Sequence, residues 1–229
     1  MTQDHFSRVG AAIALVGLSA VLAPAAPASA TAPAVTAQSS PALRRALPEP
    51  PPADVARGEL GDLNVEAPHA MTGYTRAKFP HWAMQYGQCD TREVVLQREG
   101  KNVVQDDKCR AVSGTWYSEY DGKTLTASGQ VDVDHMVPLA GGWRADADLW
   151  DTAKRKAFAN DLVHSQLIAV SAASNRSKGD QTPDLWKPPL KSYWCAYSRA
   201  WIDVKHVYQR NVTEADKTAL DEMLDTCDS

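Results

Sequence analysis

The residues with the clearest capacity for chemistry are Asp134 and His135, which end the alternating stretch at residues 131–135. Together they offer a hard oxygen ligand and a proton acceptor at one point of the chain. Asp132 falls on the same strand face as Asp134, because side chains in a strand repeat with a period of two. Taken alone, such an Asp-His pair is more often a surface aspartate beside a structural histidine, so other residues must support the interpretation.

Two later stretches supply that support, residues 166–170 (QLIAV) and 175–180 (NRSKGD). With the first stretch they resemble the HNH nuclease superfamily, whose core is a ββα-metal (His-Me) finger. The resemblance is strongest to a branch of secreted actinobacterial proteins with the pattern GTWYSxYDGK, DxDHxVPLA and NRSKGD. That pattern begins here at residues 114–123, and the similarity covers residues 71–227. The combined motif is specific, whereas either half alone would not be.

The resemblance implies a site that hydrolyses phosphodiester bonds. It makes His135 the general base and makes Asp134 and Asn175 the protein ligands of one divalent metal. Two oxygen ligands completed by waters and phosphate suit Mg²⁺, which keeps several waters in protein sites. Mn²⁺ is expected to substitute, and Zn²⁺ is less expected because its sites in this superfamily bring more histidines.

Further residues near the motif receive supporting roles. Arg176 and Lys178 are expected to bind phosphate, with ordinary helix-surface charge as the alternative. Asp132 is expected to orient His135 or the waters on the metal. Gln166 stands where the superfamily usually has an asparagine that braces the loop bearing the histidine, so a bracing role is expected for a longer side chain.

Three elements must position these residues. The alternation of apolar and acidic residues predicts a strand that ends before Pro138 and carries the Asp-His pair. A second strand is predicted at residues 167–170 and the helix of the finger at residues 171–178, with another helix at residues 148–162 inserted between the strands. The predicted fold class is α+β: a ββα-metal finger core with a helical insertion and surrounding helices, braced by disulfides.

The chain has four cysteines, Cys89, Cys109, Cys195 and Cys227. In a secreted chain they predict two disulfides, and of the three possible pairings the local ones, Cys89–Cys109 and Cys195–Cys227, are favoured. Each would contribute about 3–4 kcal/mol through loop closure. A zinc cluster is the alternative, but no two cysteines have the short spacing of a zinc knuckle.

The sequence predicts three regions along the chain. Residues 1–30 have a basic residue, an apolar run and the small residues of a cleavage site, so we expect a signal peptide cleaved near Ala30 and a secreted protein. Residues 31–66 are rich in alanine and proline, which predicts a flexible linker or a removable pro-segment, while Leu60 and Leu63 allow a short ordered piece. The nuclease domain is predicted at residues 67–229.

The composition and the charge distribution limit the kinds of binding partner. The 229 residues are 44% hydrophobic with a net charge of −4, enough for one domain with a real core. Residues 130–210 carry eleven basic against nine acidic residues, whereas residues 211–229 carry one against six. This balance permits a basic binding face near the motif without requiring one. We expect a nucleic acid substrate, no membrane partner, no inferable protein partner and a monomer.

The predicted function is a secreted, metal-dependent HNH endonuclease, with DNA as the favoured substrate. The alternative is a secreted binding module that keeps the finger as a scaffold without cutting, which an incomplete metal site would favour. A metal-dependent hydrolase of another ester would share the same residues and differ in its substrate groove.

Overall fold

The computed structural model describes residues 47–228, and the elements below lie within them. The predicted signal peptide, its cleavage near Ala30 and residues 31–46 lie outside the described residues. The α-helices are α1 (Ala53–Asp62), α2 (Thr91–Glu99), α3 (Leu139–Arg144), α4 (Thr152–Ala159), α5 (Ala172–Lys178), α6 (Trp194–Val207) and α7 (Glu214–Leu224). The strands are β1 (Met84–Tyr86), β2 (Cys89–Asp90), β3 (Lys101–Gln105), β4 (Ala111–Ser118), β5 (Lys123–Leu125), β6 (Val131–His135) and β7 (Leu167–Ser171).

The strands form small antiparallel sheets, ordered β1-β2, β3-β4-β5 and β6-β7. The fold is therefore mixed α+β, as predicted. No helix within residues 47–228 is long and apolar enough to cross a membrane.

Strands β6 and β7 and helix α5 form a ββα unit that carries the predicted site. The two strands pair in antiparallel register, with His135 opposite Leu167. Helix α5 follows β7 directly, because the Ser171 hydroxyl caps its N-terminus by accepting the Ser174 N–H at 3.2 Å. It ends at Gly179, whose φ of 53° lies in the left-handed region that glycine adopts at little cost.

The β6-β7 pair lies between two hydrophobic clusters, because alternate side chains of each strand point to opposite faces. On one face, Val131 and Val133 pack with α2 and with Trp116 of β4. On the other face, Ile168 and Val170 join the larger cluster around α6. This double burial fixes the register of the strands, since a slip of one residue would turn every side chain to the wrong face.

The inserted helix predicted at residues 148–162 is shorter than expected. A 3₁₀ turn spans Ala147–Leu149, and α4 begins only after Asp151, whose carboxylate accepts the Lys154 N–H at 2.7 Å. Trp150 between them is extended, with a ψ of 156°. The aspartate therefore starts a new helix where the periodicity of apolar residues suggested one continuous helix.

The described part of the predicted linker or pro-segment, residues 47–66, is folded onto the domain and is not a flexible linker, while its removal stays a prediction. Helix α1 packs against α6, and its side chains Ala56 and Leu60 are 0% and 3% exposed, followed by Leu63 at 6%. Upstream of α1, Arg199 of α6 donates to the backbone oxygen of Pro51 at 2.6 Å. The folded domain therefore begins before residue 67, because a few well-spaced apolar residues anchor an otherwise alanine- and proline-rich stretch.

The two disulfides join the predicted pairs. Cys89 is bonded to Cys109, which ties the start of α2 to the turn between β3 and β4. Cys195 is bonded to Cys227, which ties α6 to the chain beyond α7.

Candidate active site

A cavity of about 220 Å³ lies at the end of β6, on the ββα unit. It brings together residues from β6 and the loop after it, from α5 and its C-terminal turn, and from a segment before β1. The lining residues are Arg76, Val133, Asp134, His135, Pro138, Leu139, Asn175, Arg176, Gly179 and Asp180. The predicted base and both predicted metal ligands thus border one cavity.

His135 lies at the floor of this cavity and is 3% exposed. Its Nε2 atom is 2.9 Å from the backbone oxygen of Ala159, the last residue of α4. A carbonyl oxygen only accepts, so Nε2 carries the hydrogen and Nδ1 of the neutral ring keeps a free lone pair. Burial lowers the pKa of His135 to about 3, against the effect of the bond to Ala159, so the ring is neutral at neutral pH.

Asp134 is held from two sides through one oxygen. Its Oδ2 atom accepts hydrogen bonds from the Tyr120 hydroxyl at 2.7 Å and from Lys178 Nζ at 2.6 Å. Lys178 also donates to the backbone oxygen of His135 at 2.7 Å. Burial raises the pKa of Asp134 and lowers that of Lys178, while their ion pair opposes both shifts. These contacts leave the second oxygen of Asp134, Oδ1, out of the ion pair.

Lys178 corrects a prediction. It was expected to bind phosphate or to be a surface charge, but its side chain is 0% exposed and paired with Asp134. The sequence contained a signal for this position, because Lys178 follows Asn175 by three residues and the two therefore share one face of α5. That face packs on β6, so the lysine lies inside the fold, where it contacts Asp134 and the backbone oxygen of His135.

Asn175 projects from α5 toward the same strand. Its amide nitrogen donates to Asp132 Oδ2 at 3.0 Å, which turns the amide oxygen away from that carboxylate. Asp132 and Asp134 lie on one face of β6, as predicted, and both bind side chains of α5. Asp132 was expected to orient His135 or waters on a metal. In the structure its carboxylate accepts the hydrogen bond from Asn175 and does not contact His135.

Gln166 lies at the start of β7 and is fully buried. Its side-chain oxygen accepts the Val137 N–H at 3.1 Å, and its amide nitrogen donates to the Val137 oxygen at 3.0 Å. Gln166 thus holds the backbone two residues beyond His135, in the place where a bracing residue was expected.

Arg176 is exposed at the mouth of the cavity. Within residues 47–228 its side chain makes no ion pair or hydrogen bond, so its charge remains available to an anion. Arg76 and Asp180, two further charged residues of the cavity lining, are also exposed.

Sequence reasoning missed three neighbours of this site. Tyr120, which binds Asp134, comes from the turn between β4 and β5. Trp82 lies with its ring 5.5 Å from that of His135, and Arg76 lines the cavity. Tyr120 belongs to the motif stretch at residues 114–123, but that stretch gave no indication of its contact with Asp134. Trp82 and Arg76 lie outside the quoted motifs, and tertiary packing brings all three residues to the site.

Another group of possible metal ligands lies outside this cavity, the one such group found in the described part of the chain. Atoms of Glu66, His69 and Asp146 lie within 4.8 Å of one another. His69 contacts Asp146 and Asp148, each at 3.0 Å, and the hydrogen bond with Asp148 raises the pKa of His69. Asn211 donates to both Glu66 and Asp146. This group differs from the predicted metal site and is already satisfied by protein contacts.

Comparison with known proteins identifies a family for the part of the chain that contains β6, β7 and α5. Residues 91–223 match the family described as GmrSD restriction endonucleases, C-terminal domain. The chain belongs to this family, whose domain is HNH-like. No solved structure matches the chain significantly.

A relative from the fungus Arthroderma benhamiae carries the name "Uncharacterized secreted protein". It is 52% identical to this chain over 194 residues, which span 85% of this chain and 95% of the relative. The predicted secretion is confirmed by this relative and agrees with the two disulfides.

Proposed function

We propose that this protein is a secreted, metal-dependent endonuclease of the HNH superfamily, and that its ββα unit is a ββα-metal finger. The observation that supports this most is that Asn175 borders the same cavity as Asp134 and His135, although it lies 40 residues after His135 in the sequence. The family description names restriction endonucleases, which cut DNA, and this supports DNA as the substrate.

The residues at the cavity fit one divalent metal with a preference for oxygen ligands. Asp134 Oδ1 takes no part in the ion pair with Lys178. The Asn175 amide nitrogen binds Asp132, and no hydrogen bond from residues 47–228 engages the amide oxygen. One carboxylate and one amide oxygen, completed by waters and phosphate, suit Mg²⁺, with Mn²⁺ as a substitute. When bound, the metal supplies charge stabilisation to the phosphate and the leaving oxygen.

The protein side chains would carry the remaining steps of hydrolysis. His135 Nδ1 would accept a proton from the attacking water, whose oxygen forms a new bond to phosphorus as the bond to the leaving sugar oxygen breaks. The Ala159 oxygen, which accepts the Nε2 hydrogen, would orient the ring and stabilise it once protonated. Arg176 would offset the negative charge that develops on the phosphate oxygens.

The test is plasmid cleavage by the secreted, oxidised protein with Mg²⁺, with EDTA and with single variants. We expect His135→Ala to lower the cleavage rate by about 10²–10⁴-fold, the range for loss of a general base. His206→Ala is the matched control, because His206 lies on the exposed side of α6 and not at the cavity. It should cut like the wild type.

The possible results separate the explanations. Cutting that EDTA and His135→Ala both abolish supports the nuclease and the assigned base. Cutting that survives His135→Ala would show that another residue is the base. No cutting of DNA or RNA with either Mg²⁺ or Mn²⁺ would favour a binding module that keeps the scaffold.

A further inference from the structure

A segment outside the family match borders the candidate active site. This segment, residues 76–83 and called the arm below, precedes residues 91–223, which match the family. The arm contributes Arg76 to the cavity lining and places aromatic rings beside His135. It is therefore an additional wall of the site.

Helix α4 and the residue after it hold the arm in place. Asn160 donates to the Pro80 oxygen at 2.7 Å and accepts the Ala83 N–H at 2.8 Å. Arg155 donates to the Lys78 oxygen at 3.0 Å. The backbone of the arm is thus fixed by α4, the same element whose last carbonyl orients the candidate base.

Trp82 shows how firmly the arm is fixed. Its φ of 57° lies in the left-handed region, which is unfavourable for a bulky residue unless its surroundings hold it there. Its ring lies 5.5 Å from that of His135 with an interplanar angle of 31°. The contacts that maintain this conformation also keep the arm against the base.

Arg76 projects from the start of the arm to the cavity. Its Nε atom donates to His81 Nε2 at 3.4 Å. The other ring nitrogen of His81 is 2.9 Å from the Phe79 oxygen and carries the hydrogen, so Nε2 is the acceptor. Within residues 47–228 no ion pair or hydrogen bond engages the terminal amino groups of Arg76, which leaves both able to bind an anion.

The cavity therefore has two arginines available to phosphate, because Lys178 is buried and paired. We propose that Arg76, oriented by His81, binds the non-bridging oxygens of the phosphodiester together with Arg176. Guanidinium suits this role, since its fork of donors matches two phosphate oxygens at once. The proposal rests on the proposed function, because it names a substrate contact of the same site.

The test measures binding and cleavage separately. Binding of a short fluorescein-labelled single-stranded DNA is followed by anisotropy in EDTA over a series of NaCl concentrations. The variants are Arg76→Ala, Arg76→Lys and the control Arg110→Ala. The Arg110 side chain is 67% exposed, forms an ion pair with Asp106 and does not line the cavity. Cleavage by the same variants is then measured with Mg²⁺.

We expect Arg76→Ala to reduce the slope of log affinity against log salt by about 0.7, the effect of one lost phosphate contact on a single strand. Arg76→Lys should keep the slope but lower kcat, because it keeps the charge and loses the fork. Arg110→Ala should match the wild type in both. A slope for Arg76→Ala equal to the control, or a wild type that binds no DNA, overturns the assignment.

The binding result also separates this proposal from the proposed function. A wild type that binds DNA with the expected slopes but never cuts would contradict the nuclease while supporting the phosphate contact. If the wild type cuts DNA and the Arg76 variants bind and cut like it, the nuclease is supported and the phosphate contact of Arg76 is contradicted.

Discussion

At the scale of single residues, one short motif contains two basic side chains in opposite environments. Arg176 is exposed at the cavity mouth, whereas Lys178, two residues later, is buried and paired with Asp134. A helix turns by about 100° per residue, so neighbours two apart point to different sides. Basic residues in one motif can therefore face solvent or hold a buried carboxylate, depending on their helix face.

Lys178→Met should be strongly destabilising, because it leaves Asp134 buried with its charge uncompensated. Breaking a buried pair from one side typically costs about 3–5 kcal/mol. Urea unfolding of the oxidised protein would measure this loss. The exposed Lys156 gives the control Lys156→Met, expected to lie within about 0.5 kcal/mol of the wild type. Equal stability of the two variants would contradict the buried pair.

The sequence allowed much of the candidate site to be predicted at this scale. His135, Asp134 and Asn175 could be found because they belong to a motif whose spacing follows the ββα unit. Tyr120 and Arg76 could not, since their approach depends on how a hairpin and a distant segment pack. Burial of Lys178 was readable in principle from its spacing to Asn175.

At the scale of elements, local sequence signals determine some helices and strands, and tertiary contacts determine others. The alternation in β6 and the capping residues of α2 and α5 act locally, so these elements were predictable. The length of the insertion was not, because Asp151 restarts the helix. The insertion itself has a clear role in the structure: α4 orients His135 and anchors the arm.

Helix α6 buries a lysine that should make stability depend on pH. Lys205 is 3% exposed, and its Nζ donates to the Asn211 oxygen at 2.8 Å. Burial lowers the pKa of Lys205 from 10.5 to about 7, despite the attraction of Asp216. Between these values the unfolded chain binds more protons than the folded one, so stability should rise with pH.

We therefore expect the wild type to gain stability relative to Lys205→Met between pH 7 and 10.5, the range bounded by the pKa of Lys205 in the folded and unfolded chain. Below pH 7 the lysine is charged in both states, and the burial penalty is fully present. Urea unfolding of both proteins over this range measures the difference. A difference that does not change with pH would show that the buried lysine keeps its ordinary pKa.

At the scale of the whole molecule, the folded domain is larger than the motif region. Helix α1 lies outside the match to the family but contributes to the main hydrophobic cluster around α6. Val65 also pairs with Val212 in an isolated parallel bridge. The packed residues extend before the boundary predicted at residue 67, because composition averages over the few apolar side chains that decide burial.

A chain that begins at residue 67 should accordingly be less stable than one that begins at residue 47. It loses Leu60 and Leu63, which are 3% and 6% exposed, and each buried leucine contributes about 1.5–3 kcal/mol. Urea unfolding of the two oxidised chains would measure the loss. Equal midpoints and slopes would place the boundary where the composition suggested.

The two disulfides do not interleave in the sequence. The first joins residues 20 apart and the second joins residues 32 apart, and both cysteines of the first precede both cysteines of the second. For a chain that leaves the cell with its N-terminus first, the first two thiols to emerge are each other's partners, and so are the next two. Pairing each new thiol with the one before it then yields the native bonds. An export route that supplies an oxidant, without an enzyme that reshuffles wrong pairs, would therefore be sufficient for this protein.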